Sequence, residues 1–157
     1  MTGADVAERF EEVNAQAVAY VLGPARAHWH DVTEAEGWPV GVAARHIALG
    51  HELVRGWVQA IQRNEPIGGL EDIDAVNAEH AARGVVASPE EVAAILEHNG
   101  RALADELRSL SESDLSREVH FGERLLSASL VAEASLRHVR AHMESIERVV
   151  DASHETG

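Results

Sequence analysis

Two imidazoles stand four residues apart in Leu136-Arg137-His138-Val139-Arg140-Ala141-His142. On an α-helix that spacing puts them roughly 40° apart around the axis and one turn along it, so both rings can converge on one metal ion. Two nitrogens do not fill a tetrahedral shell, and a third ligand must come from elsewhere in the chain. The best candidate is His46, in Val40-Gly41-Val42-Ala43-Ala44-Arg45-His46-Ile47. Three neutral nitrogens leave coordination positions open, as catalytic metal sites do and closed structural sites do not.

Helices must hold these residues. Val6, Phe10, Val13, Ala17 and Tyr20 recur at steps of three or four, which predicts an amphipathic helix ended or kinked at Gly23-Pro24. Val42, His46, Leu49, Leu53 and Trp57 form a second stripe, widened by Ile47, Val54, Val58 and Ile61, so this helix should be buried over a broad face. A shorter helical segment is expected from Asp72 to Arg83. Ser88-Pro89-Glu90-Glu91 is a helix start with a capping serine, proline at the first position and glutamate at the third. Val92, Leu96, Asn99, Leu103, Leu107 and Leu110 follow as its seam, and Ala132, Leu136, Val139, Met143, Ile146 and Val150 give a last one.

On that last helix the His138/His142 pair centres roughly 100° from the middle of the apolar seam, the direction shared by Val131, Ser135 and Val149. Such a pair faces neither open solvent nor the deepest core; it describes the wall of a cleft. Four long helices with these seams predict an all-α four-helix bundle with a short extra helix. Arg117 to Leu126, with Val119, Phe121 and Gly122, should hold a strand pair or an irregular loop. No linker, repeat or low-complexity tract divides residues 1–157, so a single domain is expected.

Composition excludes several classes. There is no cysteine, hence no disulfide, zinc ribbon or protein thiol nucleophile. A net charge of −14 speaks against a nucleic-acid partner. No membrane-spanning run and no signal segment are visible, so a cytoplasmic protein is expected. All 13 basic residues are arginine, which carries no functional weight alone. His51-Glu52 is followed by Arg55 where a zincin protease needs histidine, and no Glu-x-x-His pair of the di-iron bundles occurs.

A tryptophan-proline entry into a helix, a histidine eight residues after that tryptophan and a late His-x-x-x-His together resemble the DinB-like superfamily. The stretch GWPVGVAARHIALGHELVRGW is especially similar to the N-terminal domain of its mycothiol-dependent maleylpyruvate isomerase branch, and Asp74 to His80 is similar to the region after that domain's second helix. The resemblance runs from the first helix to about Val150. It implies a bundle carrying a divalent metal, with His46, His138 and His142 at the three ligand positions. Zinc is the expected ion, with nickel or iron as alternatives. The isomerase branch carries a further C-terminal domain, so the single-domain thiol-dependent transferases of the superfamily are the closer expectation.

An open three-histidine ion lowers the pKa of a bound thiol and generates a thiolate nucleophile. Since the chain has no cysteine, that thiol must be an external low-molecular-weight one, mycothiol first, attacking an electrophilic small molecule. The competing readings are a non-catalytic metal- or ligand-binding bundle and a structural helical dimer with incidental histidines. A homodimer stays open in each. Any anionic substrate would need local arginines such as Arg45 or Arg83, for which surface solvation is the plainer role. His51, turned away from a shared ligand direction, is expected at the surface or just behind the ligands. His28 and His30 are expected to be solvated, His80 to be an exposed helical residue, and His98, His120 and His154 to carry no role.

Overall fold

The computed structural model describes residues 1–68, 75, 79, 82 and 86–155. Helix α1, Gly3–Leu22, starts from a capping box in which the Thr2 hydroxyl accepts from Asp5 N and the Asp5 carboxylate accepts from Thr2 N. Val6, Phe10, Val13 and Ala17 are buried as the spacing requires, but Tyr20 is only half-buried and Val21 takes the inner place. The helix ends at Gly23, ahead of Pro24. After a 3-10 turn at Arg26–His28, the chain enters α2, Val40–Gln62.

Helix α3, Pro89–Arg108, begins at the Ser88 box read from sequence: Glu91 N donates to Ser88 Oγ at 3.1 Å and Ser88 N to Glu91 Oε2 at 3.1 Å. Such a cap contributes about 1 kcal/mol relative to alanine. A short α4, Glu112–Ser116, precedes the antiparallel strands β1, Glu118–Phe121, and β2, Arg124–Ser127. Gly122 turns between the strands at φ +61°, a left-handed position suited to glycine. Ser127 Oγ then accepts from Leu130 N at 3.2 Å and opens the long α5, Ala128–Glu155. The segment expected as a helix from Asp72 to Arg83 lies outside the described residues, apart from Ala75, Glu79 and Ala82.

The four long helices form a bundle in which α1 packs on α3, while α2 packs on both α3 and α5. Coverage from two sides changes the α2 face. Ala43, Ala44, Ile47, Ala48, His51, Val58 and Ile61 are its innermost residues, whereas Leu49, Leu53 and Trp57 of the expected stripe are half-buried. The three alanines let the neighbouring helices approach closely. On α5 every seam residue from Ala132 to Val150 is buried as expected. Ile67 N bonds His120 O at 2.9 Å, fastening the segment after α2 to β1. Among the described residues no helix is long and apolar enough to cross a membrane.

Candidate metal centre

The pair on α5 and the single histidine on α2 meet. His46 Nε2 lies 3.1 Å from His138 Nε2, and His142 Nε2 lies 3.0 Å from the same atom, although His46 and His138 are 92 residues apart in sequence. The potential ligand atoms of the three residues all fall within 4.8 Å of one another. Two helices supply them because α2 and α5 are neighbours.

Burial is graded across the cluster. His46 is 4% exposed, His142 is intermediate, and His138 has one side open to solvent, so the site opens on the His138 side. Open as that edge is, the surrounding helices and rings strip enough water from the imidazole to push its pKa down to about 4. The nearby His142 acts in the same direction and Glu36 against it. His138 is therefore neutral at pH 7, the form a metal ligand needs.

The loop before α2 walls the cluster. The Trp38 indole meets the His46 ring edge-on at 5.3 Å and stacks over His142 at 6.4 Å with 12° between planes. Two residues earlier, Glu36 Oε1 accepts from His142 Nδ1 at 2.8 Å and Glu36 Oε2 accepts from Ser145 Oγ at 2.7 Å. Burial pushes the Glu36 carboxyl up, but hydrogen bonds with Ser145, Thr33 and His142 outweigh it and hold it below the usual carboxylate range. The loop itself is tied: Thr33 N bonds Trp38 O at 2.8 Å, Gly37 N bonds Thr33 O at 2.9 Å, and Val40 N bonds Asp31 O at 2.8 Å. Gly37 sits at φ +71°, and Gly41 lets the Trp29 indole pass where a Cβ would come within 2.7 Å of it.

A family model of the DinB superfamily matches residues 4–146. The chain belongs to the DinB superfamily. No curated protein and no solved structure matches it.

The donor set of this DinB-superfamily chain fits a cation. A neutral His142 that donates its Nδ1–H to the Glu36 carboxylate keeps its lone pair on Nε2. That lone pair and His46 Nε2 both face His138 Nε2, and a single proton on His138 serves only one of the two contacts well. A divalent ion satisfies all three nitrogens at once. Donors held tetrahedrally at 2.0–2.1 Å from one ion stand about 3.3–3.4 Å apart, a few tenths of an ångström beyond the 3.1 and 3.0 Å spacings seen here. Three histidines of this DinB-superfamily protein could thus hold a metal ion.

The remaining histidines separate by their partners. His51 is not at the surface: it is 1% exposed, and its Nε2 donates to Asn14 Oδ1 at 2.8 Å. Five residues after His46 it is indeed turned away, but that direction is the α1–α3 core rather than solvent. His28 is not solvated either. It stands between Asp31 Oδ2 at 2.8 Å and Ser153 Oγ at 3.2 Å. That Asp-His-Ser row is no hydrolase centre, because Ser153 Oγ donates to Val150 O at 2.6 Å in the last turns of α5, where the helix dipole disfavours an alkoxide. His30, His98, His120 and His154 are exposed, and Arg45 is half-buried beside His46. His80 and Arg83 lie outside the described residues.

Sequence reasoning missed Glu36, Ser145 and Asn14. Ser145 carries a faint signal, three residues beyond His142 and so on its side of the helix. Glu36 carries none beyond its closeness to Trp38, since a loop carboxylate on an acidic chain looks solvated.

Proposed function

We propose that His46, His138 and His142 hold a divalent ion, zinc first with nickel or iron as alternatives, and that the protein is a thiol-dependent S-transferase or isomerase-like enzyme using an external thiol of the mycothiol type. The observation that carries this reading is the convergence of three imidazole nitrogens at a site open on one side. Bound there, the ion supplies a positive charge that lowers the pKa of an incoming thiol and turns it into a nucleophile at neutral pH.

The chain's own residues do the rest. His138 stays neutral at physiological pH and so competes with no proton for its role. Glu36 keeps the His142 ring in place, and Trp38 covers one side of the cluster, leaving approach from the His138 side. The absence of cysteine means that a thiol nucleophile comes from outside the protein. Small molecules, a thiol and an electrophile, are the partners this geometry favours, in a cytoplasmic setting where such thiols are reduced.

The test is metal analysis of tag-free protein, followed by cobalt substitution and titration with mycothiol, bacillithiol, glutathione and cysteine. A thiol entering the coordination sphere produces a sulfur-to-metal charge-transfer band, with electrophile consumption lost on chelation and in His142→Ala. Bound metal with neither band nor turnover makes the protein a non-catalytic metal-binding bundle. No bound metal removes the centre altogether.

A further inference from the structure

The Glu36 carboxylate reaches across the fold, from the loop ahead of α2 to the middle of α5, 106 residues away. Only 13% of its side chain is exposed, and 15% of that of His142. Both oxygens are engaged by the same helix turn, Oε1 with His142 Nδ1 and Oε2 with Ser145 Oγ, so the carboxylate is held at two points and cannot swing. Its backbone is fixed by the hydrogen-bonded turn from Thr33 to Trp38, and Thr33 is 1% exposed. A solvated loop glutamate would have none of these restraints.

An imidazole can ligate through either nitrogen, and the hydrogen bond made by one nitrogen decides which is left for the metal. From this geometry we infer that Glu36 is a positioning residue for the metal centre: by accepting the Nδ1 proton of His142 it fixes the tautomer whose Nε2 lone pair faces His46 and His138. Ser145 anchors the other carboxylate oxygen and sets the direction of the clamp. The loop that carries Glu36 also carries Trp38 against His46 and His142, so one segment orients rings from two helices. This deepens the metal reading proposed above and rests on it only for the affinity measurement, since the tautomer is a property of the protein alone.

The experiment combines nitrogen-15 histidine spectra of the metal-free protein with zinc titrations of wild type, Glu36→Ala, Glu36→Gln and Ser145→Ala, no thiol being present. The wild type should show His142 protonated at Nδ1. Glu36→Ala should mix the tautomers and weaken zinc binding about 10- to 100-fold. Glu36→Gln, whose amide oxygen still accepts from Nδ1, should keep the tautomer and recover most of the affinity, a rescue that loss of loop packing alone would not predict. Ser145→Ala should give a smaller loss in the same direction. A wild-type His142 protonated at Nε2 overturns the inference, as does wild-type zinc affinity in a folded Glu36→Ala. If Glu36→Ala does not fold, the wild-type tautomer and the Gln and Ser145→Ala affinities decide. A wild type that binds no zinc but shows the Nδ1–H tautomer refutes the metal centre and leaves the clamp standing, so the two failures are distinguishable.

Discussion

His46 and His51 lie on the same helix, five residues apart, and both are buried, at 4% and 1% exposure. Their surroundings could hardly differ more. His46 Nε2 faces His138 Nε2 at 3.1 Å, which in turn faces His142 Nε2 at 3.0 Å, so three ring nitrogens are gathered at one point. His51 faces one amide oxygen, that of Asn14, whose own Nδ2 is spent on Leu96 O at 2.9 Å, and the ring of Phe10 lies edge-on at 4.9 Å. A rotation of about 140° around one helix separates an imidazole grouped with two other ring nitrogens from one paired with a single amide oxygen. Burial alone therefore does not mark a ligand; the deciding property is whether the partners bring lone pairs or accept a proton.

The contrast breaks most readily in metal binding. Replacing His46, His138 or His142 by alanine should lower zinc affinity by more than about 100-fold, exceeding the loss typical of outer partners. His51→Ala should leave zinc affinity within a few-fold of wild type while costing about 2–4 kcal/mol of stability, from the cavity and the orphaned Asn14 oxygen. Competition titrations and chemical denaturation of the same variants read both quantities. The comparison fails if His51→Ala loses metal as the other three do.

Acid tests the core side. Burial, with a smaller contribution from His138, pushes the His51 pKa down to about 4 from an ordinary 6.5. The unfolded chain then binds the proton more readily than the folded one. The stability that His51 contributes is complete above about pH 6.5, falls as pH drops from there to about 4, and is flat below. Its full size is about 3 kcal/mol for so buried a ring. Denaturation of metal-free protein at a series of pH values should show this slope, reduced in His51→Gln, whose amide can still donate to Asn14. An unchanged slope in that variant would assign the acid sensitivity elsewhere.

A gentler probe is the double-mutant cycle of Asn14→Ala with His51→Ala. Because the two side chains are mutual partners, the double variant should be more stable than the sum of the single losses by about 0.5–3 kcal/mol. Strict additivity would mean that their hydrogen bond contributes nothing. The smallest effects belong to His98→Ala and His154→Ala, both exposed, which should change stability by less than about 0.5 kcal/mol and leave zinc affinity unchanged.

Much of the scaffold was legible because its signals are local. The Ser88 box, the Gly23-Pro24 stop and the Ala132–Val150 seam each depend on residues within a turn or two, and each is found where the spacing puts it. For Arg117 to Leu126 the sequence left a strand pair and an irregular loop as alternatives, since four-residue strands carry little periodicity, and the structure has the strand pair. On α2 the expected stripe and the buried face differ, because a helix covered by two neighbours presents no single polar side from which to orient it. For the same reason His51 looked peripheral.

The sequence by itself determined the relation between His138 and His142, because 3.6 residues per turn fixes the geometry of an i,i+4 pair wherever the helix is placed. It also determined that any thiol chemistry must borrow its thiol. Tertiary structure decided that His46 meets that pair while His51 turns into the core, and that Glu36 and Trp38 close over the rings. These relations span 37 to 106 residues of chain where partners are hydrogen-bonded. They depend on the rotation and register of one helix against another. Those are set by the summed packing of small and large side chains such as Ala43, Ala48 and Ile47, and no short-range spacing encodes that sum.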